Sequence, residues 1–190
     1  MPNKPQLIII AGHNGCGKST FAFEYLKHFK YEYLNPDEMA KSLSPLHIDK
    51  ARIQAGKLFF EKIQEKITNK ESFSIESTLS GKYLIGFLDK IKKKYYIRIV
   101  YIFLDNTEMA IERIKIRVAK GGHHIPDEDV IRRYERSKNN FWDIYKNLAD
   151  DWEIHYNGEG EFIQVAIGIK EKCEIIDDKL FALFTRRMTL

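Results

Sequence analysis

The chain has 190 residues, 44% of them hydrophobic and 31% charged, a size and mix that bury about 70% of the unfolded surface in one domain and exclude intrinsic disorder. Its 31 lysines and arginines against 27 acids leave a net charge of +4, which one basic site can account for, so no nucleic-acid partner is expected. The longest apolar runs, Leu7 to Ala11 and Ile99 to Leu104, fall far short of the roughly 20 residues that span a bilayer, and the first is too short for a signal-peptide core; the expected setting is the cytoplasm, away from membranes.

In chain order, apolar segments alternate between strand-like and helix-like periods, which predicts an α/β domain over residues 1–190 with a five-stranded, mostly parallel sheet. Leu7 to Ala11 reads as a buried first strand. Phe21, Tyr25 and Phe29 then mark one face of a helix opening at Lys18. Tyr31 to Leu34 is a short second strand, and Asn35-Pro36-Asp37-Glu38 spells a helix start, with Asn at the cap, Pro at the first position and Glu at the third. Arg52 to Thr68 is helical, Ser72 to Ile75 a third strand, Tyr83 to Ile91 a helix and Tyr96 to Leu104 the strongest β-run. Glu108 to Ala119 returns to helical spacing and stops at Gly121-Gly122. Glu128 to Leu148 is a long polar helix with Val130, Ile131, Tyr134 and Phe141 facing inward, and Trp152 to Tyr156 is the fifth strand. Beyond the turn-rich Asn157 to Gly160, Phe162 to Ile169 is expected as an antiparallel edge strand and Ile175 to Met188 as a closing helix.

Gly12-His13-Asn14-Gly15-Cys16-Gly17-Lys18-Ser19 matches the phosphate loop G-x-x-x-x-G-K-[ST], lying between a strand and a helix as its mechanism requires. The backbone of Gly12, Asn14, Gly15, Cys16, Gly17, Lys18, Ser19 and Thr20 is expected to wrap the phosphates. Lys18 reaches the β- and γ-phosphates, and Ser19 ligates Mg²⁺ arriving with ATP or GTP. Cys16 and Cys173 suit neither a disulfide framework nor a zinc site, and Cys16, beside helix amides and Lys18, is expected to be a reactive thiolate. His123 and His124 lack further closely spaced ligands, so no zinc site is expected there.

A nucleotide loop alone does not separate a kinase from a switch or a motor. No Asn/Thr-Lys-x-Asp base-reading element follows it, which weakens a GTPase reading. Leu79-Ser80-Gly81 and the strand ending at Asp105 echo a transporter ATPase, but the match fails at Lys82 and Asn106. Asp37, after strand two, can be read as a first-turn acid complementing the helix dipole or as the general base for an acceptor hydroxyl. Glu76 and Thr78, after strand three, can be read as a strand-end cap or as hydrogen-bonding groups for a polyol acceptor. Arg113, Arg117, Arg132, Arg133 and Arg136 lie on two helices hinged at Gly121 to Pro126. They read as a solvated face or as a lid over residues 107–147 that neutralises the transferring phosphoryl group.

Together, Gly12 to Thr20, Asn35-Pro36-Asp37, Glu76 to Gly81, Arg117-Val118 with Gly121-Gly122-His123, Pro126 and Arg132-Arg133-Tyr134 resemble the zeta-toxin-like family of phosphate-loop kinases, over Leu7 to about Asn157. The resemblance implies ATP or GTP as donor, Asp37 as base, Glu76 and Thr78 at the acceptor, and lid arginines among Arg117, Arg133 and Arg136. It further implies a nucleotide sugar such as UDP-N-acetylglucosamine as acceptor and an antitoxin protein as partner. The loop Gly121-Gly122-His123-His124 departs from the toxins' own arginine segment. The expected function is therefore a Mg²⁺-dependent small-molecule kinase. A nucleotide-binding regulatory ATPase is the alternative from another class, and a polynucleotide end kinase a third, which lacks an aromatic platform for single strands.

Overall fold

Leu7, Ile8, Ile9 and Ile10 are almost wholly buried because the strand they form is covered on both faces, the usual condition of a parallel sheet flanked by helices. The structure is a computed structural model that describes residues 4–45, 47–122, 124–158, 160–169 and 172–186. Its elements are β1 (Gln6–Ala11), α1 (Lys18–Tyr25), β2 (Glu32–Leu34), α2 (Pro36–Leu43), α3 (Ile48–Thr68), β3 (Phe73–Ser77), α4 (Ile85–Ile91), β4 (Tyr96–Phe103), α5 (Thr107–Ala119), α6 (Asp127–Asp143), β5 (Asp151–Tyr156), β6 (Ile163–Ile169), β7 (Lys172–Ile175) and α7 (Asp178–Thr185). The strands form one sheet in the order β2-β3-β1-β4-β5-β6-β7. β1 to β5 run parallel, and β6 and β7 antiparallel.

Odd and even residues of β1 feed opposite cores. Leu7 and Ile9 join Phe73, Ile75, Ile97 and Ile99 under Phe59 and Ile63 of α3, Leu88 of α4, Phe141 of α6 and Phe184 of α7. Ile8 and Ile10 join Val100 and Ile102 under Phe21 of α1 and Ile114 of α5. This fixes α1 and α5 on one face and α3, α4 and α7 on the other, while α6 adds Val130 to the core under α1 and α5 and Phe141 to the opposite one; the carboxyl ends of β1, β2 and β3 open into one crevice. Among the described residues no helix is long and apolar enough to cross a membrane.

Two ends follow their sequence signals closely. Asn35 caps α2, accepting from the amides of Asp37 and Glu38, and Pro36 takes the first helical position. α5 closes on Gly121 at φ +83°, where the amides of Gly122 and Gly121 bond back to the carbonyls of Arg117 and Val118, satisfying the last turn.

Other expectations are corrected. β6 is not the edge strand: β7 pairs with it from Ala166↔Ile175 to Ile169↔Lys172, so the sheet has seven strands and Ile175 belongs to the last of them. α7 therefore begins only at Asp178, capped by the Asp177 side chain bonding the Leu180 amide, and the expected helix beyond Arg186 lies outside the described residues. Ile131 is 53% exposed; the buried positions of α6 run through Val130, Tyr134, Ser137, Lys138 and Phe141, and residue 131 falls outside that stripe. α6 ends at Asp143, and a 3₁₀ turn, Tyr145–Leu148, completes the segment expected as one helix. α4 starts at Ile85, two residues later than expected, and Tyr83 lies in the turn before it, its hydroxyl 3.1 Å from Ser77 Oγ.

Candidate active site

The loop between β1 and α1 curls over the end of β1 and closes at Gly17, which caps α1 at φ +95°. A Cβ there would collide with the Asn157 amide, so both backbone conformation and space require glycine. Asn157 Nδ2 donates to the Cys16 carbonyl at 2.9 Å, which ties the loop to the end of β5. Lys18 folds back over the loop, only 6% exposed, with Nζ 3.0 Å from the His13 carbonyl. Ser19 and Thr20 are exposed at the mouth.

A cleft of about 170 Å³ lies in front of this loop, lined by Asn14, Gly15, Gly17, Lys18, Ser19, Thr20, Asp37, Glu76, Arg113 and Arg117. The parallel register Ile10↔Glu76 and Ala11↔Ser77 sets the carboxylate of Glu76 beside α1. Its Oε2 accepts hydrogen bonds from Ser19 Oγ at 2.8 Å, Asn35 Nδ2 at 2.9 Å and the Tyr33 hydroxyl at 2.5 Å. Its Oε1 lies 3.8 Å from Lys18 Nζ. Burial and this carboxylate push the Tyr33 hydroxyl far above its ordinary range, so Tyr33 is a permanent donor. Asn35 thus does two jobs: its oxygen starts the helix that carries Asp37, and its nitrogen holds Glu76. Among the described residues no hydrogen bond or ion pair engages the Asp37 carboxylate, which faces the same cleft.

The arginines expected in a lid separate. Arg133 reaches the loop, with Nη1 3.4 Å from Asn14 Oδ1 and Nη2 3.1 Å from Asp129 Oδ2. Arg117 lines the cleft. Arg136 is exposed and does not line it. Arg113, which lines the cleft while donating to the Gly158 carbonyl at 2.7 Å, is the cation that its spacing from Arg117 made visible in sequence. Thr78 is outside the cleft lining, its hydroxyl 2.9 Å from Ser80 Oγ. Asp105 accepts from the Tyr156 hydroxyl at 2.8 Å and takes no part in the cleft.

Cys16 is corrected. It is fully buried, and burial raises its thiol above the ordinary range despite the nearby Lys18; the exposed thiol is Cys173. His124 is exposed, and His123 lies outside the described residues. Among the described residues no group of three or more His, Cys, Asp or Glu side chains could hold a metal. The donors that do converge, Ser19 Oγ and the Glu76 carboxylate, are hard oxygens of the kind Mg²⁺ takes when phosphates supply much of its shell. They fit that ion.

Residues 7–138 match a family described as an AAA domain, from β1 into the last turns of α6. The chain belongs to that family. The match of this AAA domain includes the loop, Asp37, Glu76 and all five arginines named above. A relative, an uncharacterised protein of Haemophilus influenzae, is 33% identical over 139 residues, covering 70% of this chain and 94% of that protein. Among solved structures, a chain of the AvrRxo1-ORF1:AvrRxo1-ORF2 complex with sulphate ions matches with a TM-score of 0.77 at 16% identity, over 96% of this chain. This AAA domain chain spans 64% of that one. A chain of the PezAT chromosomal toxin-antitoxin system of Streptococcus pneumoniae matches with a TM-score of 0.67 at 17% identity, over 97% of this chain and 80% of that one. These likenesses establish a phosphate-loop kinase-like fold, with the added C-terminal strands included in the match.

Proposed function

We propose that this chain is a zeta-toxin-like phosphotransferase that moves the γ-phosphoryl group of ATP or GTP to a hydroxyl of a small molecule, with UDP-N-acetylglucosamine or a related nucleotide sugar as the acceptor class. The carrying observation is that Asp37, with an unengaged carboxylate, shares one cleft with Lys18, Ser19 and Glu76. Lys18 follows the β- and γ-phosphates, and Asn14 to Thr20 cradle them. Asp37 accepts the proton of the acceptor hydroxyl as its oxygen bonds to the γ-phosphorus. The bridging P–O bond breaks and the nucleoside diphosphate leaves. Arg113, Arg117 and Arg133 balance the charge on the transferring group, and residues 107–147 act as the lid.

Ser19, with Glu76 behind it, would hold Mg²⁺. When bound, that ion neutralises phosphate charge. The position of Glu76 against Ser19 supports a place on the metal side of the phosphates, while the resemblance supports Glu76 and Thr78 at the acceptor. Beside the loop, a second cleft of about 510 Å³ includes Ile116, Lys120, Asn157 and Phe162; an apolar wall with polar neighbours there suits a nucleobase. The PezAT likeness supports trying an antitoxin-type protein as partner.

The test is turnover of ATP and GTP with and without a panel of hydroxyl acceptors that includes UDP-N-acetylglucosamine. Acceptor-dependent turnover with a phosphorylated product is expected. A rate indifferent to every acceptor would replace this reading with that of a regulatory ATPase.

A further inference from the structure

His13, like Cys16, turns its side chain inward to the protein rather than outward to the cleft, and it is 1% exposed. Its Nδ1 is 2.9 Å from the Asn14 carbonyl, and its Nε2 is 3.3 Å from the Leu104 amide. The Leu104 amide can only donate, so Nε2 accepts, the ring proton sits on Nδ1, and Nδ1 donates to Asn14. One neutral tautomer therefore satisfies both contacts. The ring also packs on Tyr134 of α6, centroids 4.4 Å apart, and the Tyr134 hydroxyl donates to the Leu104 carbonyl at 2.8 Å.

Consecutive residues of α6 thus grip the loop from two sides: Arg133 meets Asn14 Oδ1 at the cleft, and Tyr134 backs the His13 ring. An anion cradle needs its N–H groups turned in and its carbonyls turned out. The His13 ring holds the Asn14 carbonyl away from the phosphates, and the His13 carbonyl accepts from Lys18 Nζ and the Cys16 amide.

Resting on the phosphate-loop reading above, we propose that His13, backed by Tyr134, is a positioning residue that sets the anion-binding shape of the loop and joins it to α6. The proposed lid helix is then pinned at its middle, where Ser137 also bonds Tyr101 at 2.8 Å and Asn140 bonds the Leu79 carbonyl at 2.8 Å.

The test is Mg-ADP affinity by calorimetry for the full chain, measured about 20 °C below each variant's melting temperature so that every protein is folded. His13→Ala loses both ring hydrogen bonds and is expected to weaken Mg-ADP by roughly tenfold or more. His13→Asn keeps a short donor for Asn14 and should recover part of that loss. Tyr134→Leu removes the stack and should weaken binding about threefold or more, while Tyr134→Phe, which keeps the ring, should stay near wild type. A residue that only supports the core would lower melting temperature and leave affinity alone. His13→Ala binding Mg-ADP within about twofold of wild type overturns the proposal. If His13→Ala does not fold, His13→Asn and Tyr134→Leu both binding like wild type overturns it instead. A wild-type protein that binds no Mg-ADP removes the phosphate-loop reading itself, a result distinguishable from either.

Discussion

Ser19 and Glu76, 57 residues apart in the chain, meet through a 2.8 Å hydrogen bond because β1 and β3 are parallel neighbours in one register. This contact sets the acid of β3, not Asp105 at the end of β4, beside the phosphate loop. Glu76→Gln keeps an oxygen for Ser19, Tyr33 and Asn35 but removes the charge facing Lys18. Phosphoryl transfer should fall by roughly 10²-fold, with the melting temperature little changed. Steady-state kinetics alongside thermal unfolding check both halves, and undiminished turnover would take Glu76 out of the reaction.

The thiols should react in the order opposite to the one the loop sequence predicts. Cys173 is exposed and Cys16 is fully buried, with its thiol pushed up by burial, so a maleimide should label Cys173 first and Cys16 only on slow opening. Peptide mapping after timed labelling reads this directly. Faster labelling at Cys16 would contradict the loop geometry.

Burial, with help from the nearby cations Lys18, Lys138 and Arg113, lowers the His13 pKa to about 3. The ordinary value in the unfolded chain is 6.5, so as pH falls from 6.5 towards 3 the unfolded state takes a proton that the native state refuses. Stability is therefore lost on acidification, by about 1.4 kcal/mol per pH unit from this group at most. His13→Asn lacks this dependence, so the stability advantage of wild type over the variant should shrink between pH 7 and pH 4. Urea unfolding of both at several pH values tests it; a constant difference would mean that His13 takes up its proton as readily in the fold as in the unfolded chain.

Most of what local spacing can carry was legible. The phosphate loop, the Asn35 cap and the five parallel strands all rest on residues within a few positions of each other. What was hidden depends on distant pairing. Tyr33 and Asn35 meet Glu76 only because β2 lies beside β3, and Asn157 reaches Cys16 across 141 residues. β7, Lys-Cys-Glu-Ile, is short, polar on alternate residues and exposed throughout, so it offers no apolar run to read as a strand. Arg136 illustrates helical phase: Val130, Tyr134, Ser137, Lys138 and Phe141 are the buried positions of α6, which leaves residue 136 on the outer side.

Lys18→Ala removes a side chain that is itself buried, with Nζ bonded to the His13 carbonyl and near Glu76. Some loss of melting temperature is expected, together with collapse of both nucleotide affinity and transfer. Retained affinity in a folded Lys18→Ala protein would contradict the loop assignment.

The most direct measurement of the kinase account is acceptor-dependent turnover by Asp37→Asn, read together with its Mg-ATP affinity. Asn keeps the size of Asp and takes no proton. Affinity should therefore stay within a few-fold of wild type, while transfer to the acceptor hydroxyl drops by roughly 10²-fold or more. Were Asp37 only a first-turn acid complementing the dipole of α2, the same change would cost at most about 1 kcal/mol of stability and leave turnover near wild type, and that outcome would contradict Asp37 as the general base.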